Sequence, residues 1–229
     1  MLQGYLPSIL EGAIVTLTVA LSSLVIAVLL GLLGAAMKLS KSRTAKFIAT
    51  VYTTVIRGVP DLVLMLLIFY GGQLAINELA PKLGYADYID INPFIAGVMT
   101  IGFIFGAYLT ETFRGAIMAI PAGQREAGIA YGMSNGQVFR RIVFPQMVRF
   151  ALPGFTNNWL VLVKSTALVS IIGLSDMMNR AGMAAGATRE PFTFYMTVAV
   201  LYLVITSVSN LLLGALQKRY SLGVRTASL

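Results

Sequence analysis

The 229 residues are 57% hydrophobic and only 11% charged, with a mean hydropathy of +0.81, against roughly 25% charged residues in a soluble domain; a water-soluble globule is excluded. The chain has neither Cys nor His, which also excludes disulfides, thiolate or imidazole metal sites, His-ligated haem and Ser-His-Asp chemistry. The net charge of +8 is interleaved with apolar runs and reads as a topology signal, not as a nucleic-acid footprint.

The first uncharged stretch runs from residue 12 to residue 37, longer than the about 20 residues that cross a hydrocarbon core. It exceeds a signal-peptide apolar region and lacks a basic leader, so it is expected to stay in the mature protein. Further uncharged runs cover residues 62–77, 91–110, 150–163 with a continuation past Lys164 to Ser175, and 191–217. Together they predict one all-α integral membrane domain over residues 1–229 with five transmembrane helices. The second run is short for a crossing, and its helix is expected to begin upstream, within Ala45 to Ile56.

Basic residues mark the cytoplasmic side of a membrane protein. Residues 38–57 hold Lys38, Lys41, Arg43, Lys46 and Arg57 with no acid. Residues 111–149 hold Arg114, Arg125, Arg140, Arg141 and Arg149 against Glu111 and Glu126, and the tail adds Lys218, Arg219 and Arg225. These segments are expected inside. Residues 78–90, with Glu78, Asp87 and Asp90 against Lys82, are expected outside, as are residues 176–190, with Asp176 and Glu190 against Arg180 and Arg189. An odd number of spans then puts the N-terminus outside and the C-terminus in the cytoplasm. Tyr70, Tyr85, Tyr88, Trp159, Phe192, Tyr195 and Tyr220 mostly flank spans and are expected to be interface anchors. The segment Met177 to Met183 is either an adaptable binding-protein contact or a re-entrant turn.

The long cytoplasmic loop, residues 121–145, predicts two short helices joined by a turn. Gly132 is suited to the left-handed conformation that ends the first helix, and Ser134 with Gln137 forms a capping box that starts the second. Pro145 is expected to stop that helix. Val138, Phe139 and Ile142 supply an apolar stripe opposite Arg140 and Arg141. On these grounds alone the loop either connects two spans or docks on a soluble partner.

The spacing resembles the signature of inner-membrane permease subunits of ATP-binding-cassette importers, E-A-A, three residues, Gly, nine residues, then I-x-L-P. It stands here as Glu126-Ala127-Gly128, then Gly132, then Ile142-Val143-Phe144-Pro145, with Gly128 for the second Ala and Phe144 for the Leu. The resemblance narrows to polar amino-acid permeases through Arg57-Gly58-Val59-Pro60, Ala107-Tyr108-Leu109-Thr110-Glu111 with Arg114-Gly115, and Lys164-Ser165-Thr166-Ala167-Leu168. Gly12 to Thr16, Ile56 to Tyr70 and Asn157-Asn158-Trp159 look like the permeases of histidine/lysine/arginine/ornithine importers.

This resemblance implies the type I importer permease fold in a bacterial inner membrane. It also implies a homologous second permease forming a heterodimer, a cytoplasmic ATPase dimer that binds ATP and Mg, and a periplasmic substrate-binding protein. The implied substrate is a polar, basic amino acid. The chain has no G-x-x-x-x-G-K-[ST] phosphate loop, so hydrolysis is placed in the ATPase and no catalytic residue, metal or cofactor is expected here. The ATPase-coupling positions implied are Glu126, Ala127, Gly128, Gly132, Phe139, Ile142 and Pro145.

Ionisable groups near the bilayer are costly and are functional candidates by default. Glu111 and Arg114, three apart on one helix face, are expected to pair structurally. Lys164 interrupts span 4 and neutralises Glu111, snorkels to an interface or lines the pathway. Asp61 either suits a cationic substrate or is a first-turn carboxylate favoured by the helix dipole. Asn157 and Asn158, at the start of span 4, are with Ser165 and Thr166 either pathway lining or interhelical glue. Two other functions stay open: an ion-coupled secondary transporter using Asp61, Glu111 and Lys164, and a permease for a neutral polar amino acid. A purely structural membrane subunit is a third. Few intramembrane acids and no visible inverted repeat weigh against the first.

Overall fold

Hydrocarbon offers the backbone neither donors nor acceptors, so apolar runs of this length must satisfy their own hydrogen bonds as helix. The computed structural model describes residues 4–85 and 87–221. Its α-helices are α1 (Leu6–Leu39), α2 (Arg43–Gly58), α3 (Asp61–Leu79), α4 (Pro93–Met118), α5 (Ala122–Ala130), α6 (Asn135–Val138), α7 (Phe144–Ser165), α8 (Met177–Thr188) and α9 (Pro191–Ser221). Among the described residues five helices are long and apolar enough to span: Leu6–Leu39, Asp61–Leu83, Pro93–Met118, Asn135–Ile172 and Pro191–Tyr220. This agrees with the five predicted. Arg225, counted above with the basic tail, lies outside the described residues.

The breaks have local chemical causes. Ser42 caps α2 by accepting the Ala45 N–H at 3.3 Å, and Asn92 caps α4 by accepting the Phe94 N–H at 2.8 Å. Pro93 and Pro191 stand at the starts of α4 and α9, where a missing N–H costs nothing. The expectation for span 2 needs refining. The chain is helical upstream of the apolar run, but as the separate helix α2, because extended Val59 precedes Pro60 and the long apolar helix begins only at Asp61. On the far side Gln73 and Asn77 hold the connecting loop: Gln73 Oε1 accepts the Ile91 N–H and Asn77 Oδ1 the Ile89 N–H, at 2.9 and 2.8 Å.

Of the five spans α4 is the most buried and α9 the least. Small residues let α1 lie directly on α4: a Cβ on Gly31 would stand 2.7 Å from Leu109 Cβ, and one on Gly106 2.8 Å from Leu30 Cβ. Van der Waals contact of this kind is the main attraction between helices in lipid. Gly102 meets Ile26, Gly106 meets Leu30 and Gly31 meets Leu109, so the numbering climbs together and the two helices run parallel. That is what alternation across a membrane requires of the first and third spans.

The segment Met177 to Met183 is helical, the first half of α8. Met177 is fully buried with Ala181, Ala184 and Phe194, and only Met183 is well exposed. Asp176 caps this helix, its Oδ1 accepting the Asn179 N–H at 2.9 Å, while its buried Oδ2 has no hydrogen-bond partner among the described residues. Burial pushes its carboxyl up to about 6. A group raised in this way contributes its stability below its unfolded value, near 4, and loses it as pH rises through about 6. Asp176→Asn keeps the cap without the charge. The thermal midpoint of the purified protein is therefore expected to rise at pH 8, by the equivalent of on the order of 2 kcal/mol, with a gain that shrinks as pH falls toward 4. A gain independent of pH would contradict this.

Candidate functional site

Two regions at the same end of the bundle carry the candidate chemistry: the hairpin between α4 and α7, and a charged cleft where α1, α2 and α4 meet. In the hairpin, Gly132 takes φ +80. Its N–H donates to the Ile129 carbonyl at 2.9 Å and the Met133 N–H to the Gly128 carbonyl at 3.1 Å, the paired bonds of a Schellman ending. Ser134 then opens α6 with the predicted capping box, Gln137 Oε1 accepting the Ser134 N–H at 2.9 Å. Gly128 is buried where the two limbs touch. A Cβ there would stand 2.7 Å from Ile142 Cδ1, so glycine in place of the signature's second Ala lets α5 close onto Ile142.

Two expectations are overturned in the second limb. Pro145 does not stop it: the helix runs unbroken from Asn135 to Ile172. Just before the proline, residues Phe139–Val143 widen to a π-turn in which the Phe144 N–H donates to the Phe139 carbonyl. Proline offers no N–H and its ring crowds the preceding turn, and the widened turn accommodates both effects. Phe139 does not join a buried stripe either. Val138 is buried and Ile142 half-buried, but Phe139 is 50% exposed and meets the Phe144 ring at 6.1 Å between centroids. Ile129 and the 87%-exposed Tyr131 are further exposed apolar side chains on the hairpin, the residue type that docking faces use. Glu126 and Ala127 are exposed as well, and the Glu126 side chain makes no hydrogen bond or ion pair among the described residues.

In the cleft, Arg114 donates from Nε to Glu111 Oε2 at 2.9 Å, the predicted pair. The second cation on Glu111 is Lys38, from the end of α1, which also donates to Thr53 Oγ1 of α2 at 2.6 Å. Lys164 does not neutralise Glu111: it is exposed at the end of α7 and forms no ion pair among the described residues. The Lys38 and Glu111 side chains are 13% and 19% exposed, so the pair joins three helices where water is scarce. The Arg57 guanidinium stands 5.4 Å over the Tyr108 ring. Lys38, Thr53, Arg57, Tyr108 and Glu111 line a cavity of about 410 Å³.

Asp61 is the first residue of α3, at the positive end of the helix dipole. Asn157 and Asn158 lie midway along α7 and not at its start. Asn158 donates to Thr112 Oγ1 of α4 at 2.9 Å, an interhelical bond, while Asn157 is exposed. Thr166 is buried and donates to the Val163 carbonyl at 2.7 Å, with the Tyr202 hydroxyl of α9 at 3.3 Å; Ser165 is partly buried. Hairpin, cleft and the α7 residues are thus three separate groups. Sequence reasoning missed Lys38 as the partner of Glu111, and Thr112 as that of Asn158. The only signal for Lys38 was its place as the first charge after the apolar run of α1, where a snorkelling lysine is just as ordinary.

The family described as binding-protein-dependent transport system inner membrane component matches residues 27–222. The chain is 57% identical over 229 residues to the histidine/lysine/arginine/ornithine transport system permease protein HisQ of Salmonella typhimurium, with all of both chains covered. It is 38% identical to the arginine ABC transporter permease protein ArtQ of Haemophilus influenzae, over 96% of this chain and 97% of that protein. Among solved structures, an amino acid ABC transporter crystallised with histidines superposes with a TM-score of 0.79 at 33% identity, covering 94% of this chain and 95% of that one. The MetNI methionine ABC transporter in an inward-facing conformation shares the fold at 17% identity, with a TM-score of 0.67 over 93% and 94% of the two chains.

Proposed function

Because the chain belongs to the family of binding-protein-dependent transport system inner membrane components, we propose that it is the permease of an ATP-driven importer of basic amino acids: histidine, arginine, lysine or ornithine. It acts as a single permease domain, in a heterodimer with a homologous permease. A periplasmic binding protein delivers the substrate and a cytoplasmic ATPase dimer drives the cycle. ATP and Mg bind that ATPase, where hydrolysis takes place, and this chain holds no cofactor. The N-terminus is periplasmic and the C-terminus cytoplasmic, a reading supported by the basic residues gathered at the hairpin end.

The observation that carries this reading is the hairpin. Glu126, Ala127, Gly128, Gly132, Phe139, Ile142 and Pro145 keep the importer spacing, and the reading is supported by a hairpin whose second helix is capped by Ser134 and whose Glu126, Ala127 and Phe139 are exposed while Gly128 packs between the limbs. Its second limb is continuous with the fourth span. When the ATPase dimer closes on ATP, a displacement at α6 passes along one rod into the membrane, and the spans tip from inward-open to outward-open. Helix of this kind transmits movement where a flexible loop would absorb it. Glu111 and Arg114 act structurally in this cycle, holding α4 with Lys38. Asp61, Asn157, Asn158, Lys164, Ser165 and Thr166 are the pathway candidates, with Asp61 suited by charge to a cationic substrate.

Uptake of labelled arginine and histidine into proteoliposomes, with partner subunits added one at a time, tests the proposal. The expected result is uptake only with ATPase, ATP and binding protein all present, and competition by lysine but not by glutamine. Uptake by this chain alone down an ion gradient would instead make it a secondary transporter. Competition by glutamine in place of lysine would make it a neutral amino-acid permease.

A further inference from the structure

The outward side of α2 belongs to neither candidate region. Ala49, Thr53 and Ile56 are buried on this helix, while Phe47, Ile48, Val51 and Val55 are exposed. Lys41 in the preceding turn and Arg43 and Lys46 at the start of α2 are exposed too, and their side chains form no hydrogen bond or ion pair among the described residues. The first turn of α2 has no acidic residue. Cations there oppose the helix dipole, so they add nothing to the stability of α2 itself. At 100° per residue, positions 47, 48, 51 and 55 fall on one side and positions 43, 46, 50, 54 and 57 on the side next to it.

We propose that α2 is an interfacial helix that binds acidic phospholipids: its apolar side enters the acyl layer and Lys41, Arg43 and Lys46 hold the headgroup phosphates. An apolar side flanked by a basic one is the pattern of helices that lie in a membrane surface. Lipid phosphate supplies the anion that the chain itself does not supply here. A homologous permease in the same orientation would bring its own basic end to this side, and like charges disfavour it as the occupant. The inference needs only the chain's place in a membrane and does not depend on which substrate it carries.

The test is lipid retention. The chain, with the subunits that copurify with it, is reconstituted in bilayers of equal phosphatidylglycerol and phosphatidylcholine, extracted gently, and its bound lipid quantified by mass spectrometry. Each basic residue at an acidic surface corresponds to about fivefold in preference. The wild type is expected to retain the acidic lipid at fivefold or more over the zwitterionic one. Lys41→Gln/Arg43→Gln/Lys46→Gln is expected to lower that ratio by fivefold or more, and Lys82→Gln, in the acidic segment that follows α3, to leave it unchanged. Equal retention of the two lipids by the wild type, or an unchanged ratio in the triple variant, would overturn the proposal. So would a triple variant that loses a protein subunit while its lipid ratio stays the same, which would assign this side of α2 to a protein.

Discussion

Gly132→Val is expected to reduce ATP-driven uptake tenfold or more while the chain still inserts and assembles. Gly132 holds φ +80, and a Cβ there would meet nothing within 4 Å. The effect is therefore one of backbone conformation and not of space: a β-branched residue in the left-handed region costs about 1–2 kcal/mol or more. Leaving that region breaks both bonds that close α5, from Gly132 to Ile129 and from Met133 to Gly128, and re-aims α6. Nothing in the spans changes, so assembly persists while coupling fails. Gly132→Asn is expected to retain most of the uptake, since Asn tolerates the left-handed region. Uptake alongside copurification of the ATPase separates the two variants, and equal activity in them would refute the conformational argument.

The second large effect is expected at Glu111. Glu111→Gln leaves Lys38, 13% exposed, without its counter-ion, and breaking a buried pair from one side costs about 3–5 kcal/mol. Arg114, at 36% exposure, is free to swing toward water; Lys38 is not. The thermal midpoint of the purified protein should fall clearly in Glu111→Gln and recover in large part in Lys38→Met/Glu111→Leu, where no charge is stranded. Equal losses in the single and double variants would show that the pair is not the source of the stability. A loss of uptake in the double variant at normal stability would assign the cleft a direct part in transport.

Much of this architecture is legible in the sequence because hydrocarbon leaves the chain few choices. Uncharged runs had to be helices, and Gly132, Ser134 and Gln137 specify a helix end and a capped start within a few residues of each other. What could not be read was set by distant partners or by the geometry of one turn. Lys38 and Glu111 are far apart in sequence and meet only because glycines let α1 lie against α4 in parallel. Pro145 reads as a stop by its local chemistry, yet a π-turn before it carries the helix through, and no residue between Phe139 and Val143 announces that. Asp176 reads as an external acid, whereas the fold buries it as the cap of α8. The break at Val59-Pro60 follows from a proline that disfavours helix at the residue before it, whereas the shortness of the apolar run suggests one helix that begins upstream.

The most direct test of the central claim, that the hairpin is the contact through which an ATPase drives these spans, uses the absence of cysteine from the chain. Tyr131→Cys, on the 87%-exposed turn of the hairpin, provides one thiol for a short crosslinker in inside-out and right-side-out vesicles. The account predicts labelling by an impermeant maleimide only in inside-out vesicles and a crosslink to the ATPase subunit. Labelling from the periplasmic side, or an assembled and active Tyr131→Cys transporter whose introduced thiol crosslinks to no ATPase, would contradict it.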